Sequence, residues 1–214
     1  MTTPLSTVRP ASSSLKRLTD VTLAIVALTL GAPVLIAICF TLRITQNSAA
    51  IFTQERHGLD GQPFKLYKFR TMKDIVDAQG RPLPDELRIT RSGAFLRRTS
   101  LDELPELFNV LIGNMSIVGP RPLLPRYTPY FTAAERIRFN TRPGITGLAQ
   151  INGRNAASWD ERLALDIEYV ANWSHPADAK IVLRTIKAVL TQAGVETLPT
   201  ATMRDLDVER AERE

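Results

Sequence analysis

A run without a single charged residue occupies positions 21–42, between Lys16-Arg17-Leu18-Thr19-Asp20 and Arg43. At 1.5 Å per residue its roughly 22 residues would form a helix of about 33 Å, enough to cross a bilayer core. A cleaved signal peptide fits poorly, because the apolar core is long and Arg43 follows at once, although Ser48-Ala49-Ala50 resembles a cleavage site. A spanning helix and a helix that enters the bilayer and returns to the same face both fit. Re-entry draws support from Gly31-Ala32-Pro33 near the middle, since Pro33 removes a backbone donor and clashes with the preceding turn. Each half would then be about 10–12 residues, roughly 15–18 Å, too short to cross. Cations also flank both ends, and basic residues tend to stay cytoplasmic. The run alone leaves both readings open.

Beyond it the pattern becomes that of a soluble domain. Residues 51–56 and 63–72 read as short strands around the turn Gly58-Leu59-Asp60-Gly61, with Phe64, Leu66 and Lys68 on one face and Lys65, Tyr67 and Phe69 on the other. Residues 74–87, with Gly80, Pro82 and Pro84, read as a surface loop. Leu101, Leu104, Leu107, Phe108 and Leu111 recur at helical spacing, with Gly113-Asn114 as the stop. Gly119-Pro120-Arg121-Pro122 predicts a rigid loop, and Thr132-Ala133-Ala134-Glu135 a capping box opening a short helix. Residues 142–155 read as a glycine-punctuated basic loop.

Trp159, Leu163, Ile167 and Val170 mark one amphipathic helix. Ile181, Val182, Ile186, Val189 and Leu190 mark another, ended by Gly194. Basic residues and the flanking Trp159 and Trp173 suit helices lying in a membrane interface, and packing on the core explains the pattern equally well. The expected organisation is a flexible leader over 1–15, the membrane helix over 16–45, one domain over 46–194 and a frayed, charged tail over 195–214. That makes an α+β fold, mostly helical, with few strands.

Composition narrows the partners. A net charge of +5 over 214 residues favours nucleic acid, acidic lipid or phosphorylated metabolites. The single cysteine, Cys39, excludes a disulfide framework and favours a reducing compartment. No Cys/His cluster has zinc spacing, and neither a P-loop nor a G-x-G-x-x-G occurs. His57 and His175 are isolated in sequence and read as surface or loop residues.

The chemistry concentrates in Arg97-Arg98-Thr99-Ser100-Leu101-Asp102-Glu103-Leu104-Pro105. Ser100 and Glu103 fit a capping box, a purely structural reading, with Ser100 or Asp102 as the N-cap. The other reading is that one carboxylate attacks phosphorus or binds a metal. Arg97, Arg121 and the positive end of a helix would offset the repulsion between an anionic nucleophile and a phosphate. Lys68-Phe69-Arg70-Thr71-Met72 and residues 142–154 are further basic segments, and the glycines of the second let backbone amides approach a phosphate.

From position 16 to about 191 the chain resembles the monotopic phosphoglycosyl transferases, bacterial sugar transferases that load a sugar phosphate onto a polyprenyl phosphate. The resemblance rests on Gln54-Glu55-Arg56-His57-Gly58, positions 68–72, 100–105, 109–116, 118–122 and 142–150, Gly153-Arg154-Asn155, and the spaced Asp166, Tyr169 and Asn172. It implies a re-entrant helix broken at a Ser-Pro pair, here Ala32-Pro33, and a catalytic domain on the cytoplasmic face of the bacterial inner membrane. It implies Asp102 and Glu103 as the catalytic pair with Mg²⁺, and Asp102 attacking a UDP-sugar to release UMP through an aspartyl-phosphosugar. It further implies Arg97, Arg121, Lys68 and Arg70 at phosphates and Arg154 at the nucleotide diphosphate. The partners expected are a UDP-sugar, polyprenyl phosphate and the bilayer, with no nucleic acid and room for a homodimer. Two rivals stand beside this reading: a membrane glycosyltransferase releasing UDP, and a non-enzymatic basic membrane module.

Overall fold

A computed structural model describes residues 13–46, 48–152, 157–191 and 204–213. The 1–12 part of the leader, Arg154 with its neighbours, Gly194 and the first part of the tail therefore lie outside the described residues. The described residues are mostly helical, with two small two-stranded sheets among them.

The apolar run lies in α1 (Ser14–Gln46), one element of 33 residues with Pro33 inside it. The expected interruption at Ala32-Pro33 does not appear as a gap in the helix. A proline forfeits one hydrogen bond and kinks the axis, while helix resumes on both sides. Each end of α1 is bonded to the same domain. At the N-terminal end, buried Lys16 Nζ donates to Asp178 at 2.6 Å and to the Val118 carbonyl at 3.1 Å. Arg17 donates to the Val110 and Leu111 carbonyls at 2.6 and 2.9 Å. Asp20 accepts from Ser116 Oγ at 2.7 Å and from the Ile117 amide at 3.1 Å. At the other end Leu42 is buried with Phe69 and Leu96, and Gln46 Nε2 donates to the Arg70 carbonyl at 3.1 Å. Between them Leu23, Ile25, Val26, Leu30, Ile36 and Phe40 are exposed.

The hairpin forms as the alternation predicts. Strands β1 (Ile51–His57) and β2 (Pro63–Phe69) pair antiparallel, Ile51 opposite Phe69 and His57 opposite Pro63. Their turn places Asp60 and Gly61 at positive φ, 55° and 71°. Phe64 and Leu66 join Leu107, Val110 and Met115 in the central cluster, while Phe69 faces the C-terminal half of α1. The 74–87 stretch is irregular as far as α2 (Asp85–Arg88), and α3 (Arg91–Arg98) follows.

Helix α4 (Glu106–Ile112) ends on Gly113 at φ 93°, the stop read from sequence. Its outward side includes Phe108, so the five-residue apolar face splits: Leu107 is buried and Phe108 half-exposed. Strand β3 (Ser116–Val118) pairs in parallel with β4 (Gly144–Thr146), and α5 (Leu148–Asn152) follows. Much of the expected 142–155 loop is thus regular structure. A Cβ on Gly144 would fall 2.0 Å from the Gly119 amide nitrogen, so these glycines serve close backbone packing rather than phosphate approach. Arg142 is likewise engaged, donating from Nε to the Gly113 carbonyl at 2.8 Å.

Thr132 and Glu135 form the expected reciprocal cap, here on a 3₁₀ segment. In α6 (Trp159–Ala171), Trp159, Leu163 and Val170 are buried, so core packing accounts for its apolar face. Helix α7 (His175–Leu190) differs: Ile181 is buried, whereas Leu183, Ile186 and Leu190 are 68 %, 51 % and 78 % exposed. The described end of the tail is ordered against expectation. Helix α8 (Leu206–Ala211) inserts Leu206, fully buried, between Trp159 and Tyr127. Trp159 Nε1 donates to the Arg204 carbonyl at 2.8 Å, Tyr127 donates to Asp205 at 2.6 Å, and Arg210 pairs with Glu135 at 2.6 Å. One leucine and a set of matched charges carry this docking, which leaves no periodic signature.

Candidate active site

Three elements bring the acid pair to its place. Helix α3 is N-capped by Thr90 Oγ1, which accepts from the Gly93 amide at 2.9 Å. Gly93 lies against β2's exit, where a Cβ would be only 1.9 Å from the Thr71 carbonyl. From α3, Arg97 Nε donates to Thr71 Oγ1 at 3.0 Å. Ser100 then takes the left-handed conformation, φ 56°, and the chain reverses into a single 3₁₀ turn over Leu101–Glu103. The capping box read from sequence does not form: Ser100 makes no side-chain cap, and α4 starts after Pro105. The reason is that Glu103 is drawn to cations instead of to the Ser100 amide. Lys68 Nζ of β2 donates to Glu103 Oε1 at 2.7 Å, and Arg121 donates to the same oxygen at 3.0 Å.

The cleft above this turn has a volume of about 390 Å³. Its lining contains six cations (Arg56, Lys68, Arg70, Arg88, Arg97 and Arg121) against three carboxylates (Asp74, Asp102 and Glu103), a balance that suits a polyanion. Asp102 makes no hydrogen bond or ion pair with any described residue, unlike its neighbour Glu103. Burial and the adjacent Glu103 charge push its carboxyl above the ordinary range, against Lys68, Arg97 and Arg121. Burial acts on Glu103 too, but Lys68 and Arg121 outweigh it and hold that carboxyl down to about 2.

The sequence-predicted residues are largely together: Lys68, Arg70, Arg97, Asp102, Glu103 and Arg121 all line this cleft. They are not equally free. Lys68 is held by Glu103 and by Glu106 at 3.1 Å, and Arg70 by Asp74. Ala32 and Pro33 do not line it, and Arg154 is outside the described residues. His57 bonds the Gly61 carbonyl and Thr128 through its two nitrogens, and His175 contacts Ser13 and Trp173; neither lines the cleft.

Sequence reasoning did not pick out the lining residues Arg56, Asp74 and Arg88, nor Glu106, which lies outside the lining and pairs with Lys68. Glu106 is 3 % exposed, and burial with the nearby Glu103 charge pushes its carboxyl up to about 7 despite Lys68. Its signal was present: it stands one helical turn after Asp102 on the buried side of α4. Arg56 reaches the cleft from β1 while donating to the Pro122 carbonyl at 3.1 Å and to Gln54 at 2.6 Å. Burial pulls its guanidinium down to about 10. Asp166, picked out by spacing, instead forms a buried ion pair with Arg138 at 2.9 Å.

Mg²⁺ is commonly held by one or two carboxylates together with substrate phosphates. Asp102, and Oε2 of Glu103, which the two cations on Oε1 leave free among the described residues, fit that mode. Among the described residues no group of three or more metal-ligating side chains gathers, so such an ion would depend on the substrate for its remaining oxygens.

A cation-lined cleft around one unpaired carboxylate, in a chain with a helix long and apolar enough to cross a membrane, suits a polyanionic ligand. The chain belongs to the bacterial sugar transferase family, whose model matches residues 11–192. It is 48 % identical over 182 residues to the Bacillus subtilis uncharacterized sugar transferase EpsL, covering 85 % of this chain and 90 % of that one. It is 39 % identical to the Rhizobium meliloti exopolysaccharide production protein ExoY, covering 87 % and 90 %. The Escherichia coli UDP-glucose:undecaprenyl-phosphate glucose-1-phosphate transferase is 42 % identical, over 86 % of this chain and 41 % of that protein.

Proposed function

We propose that the protein transfers a sugar phosphate from a UDP-sugar to polyprenyl phosphate at the cytoplasmic face of the bacterial inner membrane, releasing UMP. In this reading it performs the first membrane step of a glycoconjugate such as an exopolysaccharide. The observation that carries it is the unpaired Asp102 within a ring of cations. A carboxylate locked to an arginine is a poor nucleophile; Asp102 has charge near it without direct contact, and its raised basicity favours attack.

Asp102 attacks the sugar-linked phosphorus, the bond to UMP breaks, and UMP leaves with the electron pair. Arg97 and Arg121 bind the phosphate oxygens and offset repulsion during the attack. A polyprenyl phosphate oxygen then attacks the same phosphorus and expels the Asp102 carboxylate. Glu103, tied to Lys68 and Arg121, fixes the geometry of the turn. Asp102 and Glu103 would hold Mg²⁺, which would supply charge neutralisation of the diphosphate. Arg154 is assigned to the nucleotide diphosphate by the family resemblance alone.

The acceptor requires the site to sit at headgroup depth. Two facts support a re-entrant α1: its two ends are bonded to one domain, and Pro33 lies midway along its exposed apolar stretch. The exposed apolar stripe of α7 suits an interfacial position beside it.

Asp102→Asn removes the nucleophile with almost no change of shape. Turnover should fall by at least about a thousandfold while membrane association persists. Mass spectrometry of the wild-type enzyme with donor alone should find a sugar-phosphate adduct on Asp102. Near-normal turnover of the variant would sink the nucleophile assignment, and UDP in place of UMP as product would favour plain glycosyl transfer.

A further inference from the structure

A second cavity, of about 640 Å³, adjoins the catalytic cleft and shares Ser100, Glu103 and Arg121 with it. Its remaining lining is mostly apolar, and includes Ala27 from the exposed apolar stretch of α1 and Ile186 and Val189 from the exposed stripe of α7. The cavity therefore joins the two surfaces that suit a bilayer to the edge of the phosphate site. Three arginines line it, and two of them are neutralised: Arg121 by Glu103 at 3.0 Å and Arg138 by Asp166 at 2.9 Å. The third, Arg162 of α6, has no carboxylate partner among the described residues. Its Nε donates to the Ala157 carbonyl at 3.0 Å, and its guanidinium lies over the Trp159 ring, 5.7 Å from the centroid. Nη1 and Nη2 bond to no described residue, and neither is sealed from solvent. Burial and the Arg121 charge pull this guanidinium below its ordinary range. A half-buried cation without a counter-ion carries a desolvation cost that an arriving anion offsets.

We infer that Arg162 binds the phosphate of the polyprenyl acceptor, with the first isoprene units in the apolar cavity, an inference that rests on the acceptor reading above. A ligand matched to this lining is anionic at one end and apolar over the rest, and a lipid phosphate is both. The uridine and sugar of the donor are rich in hydroxyl and amide groups, which an apolar lining leaves unbonded. Inorganic phosphate would use the arginines and leave the apolar surface uncovered. The guanidinium fork matches phosphate oxygens. Arg121, common to cleft and cavity, sets the acceptor phosphate beside the phosphosugar carried by Asp102. Its oxygen then attacks the sugar-linked phosphorus, and the Asp102 carboxylate leaves with the electron pair. Entry past α1 and α7 lets the rest of the chain stay in lipid.

Competition with undecaprenyl phosphate in detergent tests the cavity on the wild-type enzyme, with UDP-glucose as donor. Farnesyl phosphate should compete about tenfold or more strongly than either inorganic phosphate or farnesol. Parity with either one overturns the inference without reliance on any variant. Arg162→Gln should raise the KM for undecaprenyl phosphate about tenfold or more. It should leave unchanged both the KM for UDP-glucose and the UMP released with donor alone. Arg162→Lys, which keeps the charge, should recover most of the loss. A rise confined to the KM for UDP-glucose would assign Arg162 to the donor, and an equal loss in both half-reactions would make its role structural. Either result overturns the inference, as does an unchanged KM for the acceptor. Absence of UMP release by the wild type with donor alone would instead overturn the covalent reading, and the acceptor KM would still decide the role of Arg162.

Discussion

Asp102, Glu103 and Glu106 lie within five positions of one another, yet each carboxylate meets a different environment. Glu103 is neutralised by two cations, Glu106 is buried with a share of one lysine, and Asp102 has none in contact. Adjacent acids were plain in the sequence; which was free was not, since Lys68 and Arg121 arrive from distant segments. Glu106 supplies a pH dependence. Its carboxyl is raised to about 7, so the folded state binds a proton more tightly than the unfolded one. The resulting stabilisation is full below the unfolded value, about 4.5, and is lost as pH rises through 7. Glu106→Gln should therefore raise stability at pH 8 by on the order of 1–3 kcal/mol, with the gap closing below about pH 4.5. Thermal unfolding in detergent across pH 4–8 checks this, and parallel curves for the two proteins would refute it.

At the scale of elements, the hairpin, α4's glycine stop and the helices α6 and α7 were legible because each follows a local period or a local stop. The turn bearing Asp102 was not. Ser100 adopts a positive φ and no cap, because Glu103 satisfies Lys68 and Arg121 rather than the local backbone. Helix α3 sets the position of Arg97, and the seat of α3 depends on Gly93. Gly93→Ala would drive a methyl into the Thr71 carbonyl, 1.9 Å away, and both partners are backbone. The helix must then shift, taking Arg97 from Thr71. The expected result is a loss of roughly 2 kcal/mol or more in stability and a larger relative loss in kcat/KM than in expression. An unchanged melting curve and rate would show that α3 has slack there.

The whole molecule is arranged around α1, whose polar ends grip the domain while its apolar middle faces outward. With Cys39 replaced by alanine, single cysteines at Ser14 and Ser48 should be labelled by an impermeant maleimide from the same side of a sealed vesicle. Labelling from opposite sides would refute re-entry. The sequence by itself determined the apolar helix, the α+β class, the acid pair and its retinue of arginines, because composition, periodicity and motif order are local properties of the chain. Only the tertiary structure decided that both ends of α1 meet one domain, that the end of the tail docks through Leu206, and that Asp102 alone of the three acids stays unpaired. Those outcomes depend on partners dozens of residues away, and on which oxygen each cation reaches once the backbone has closed.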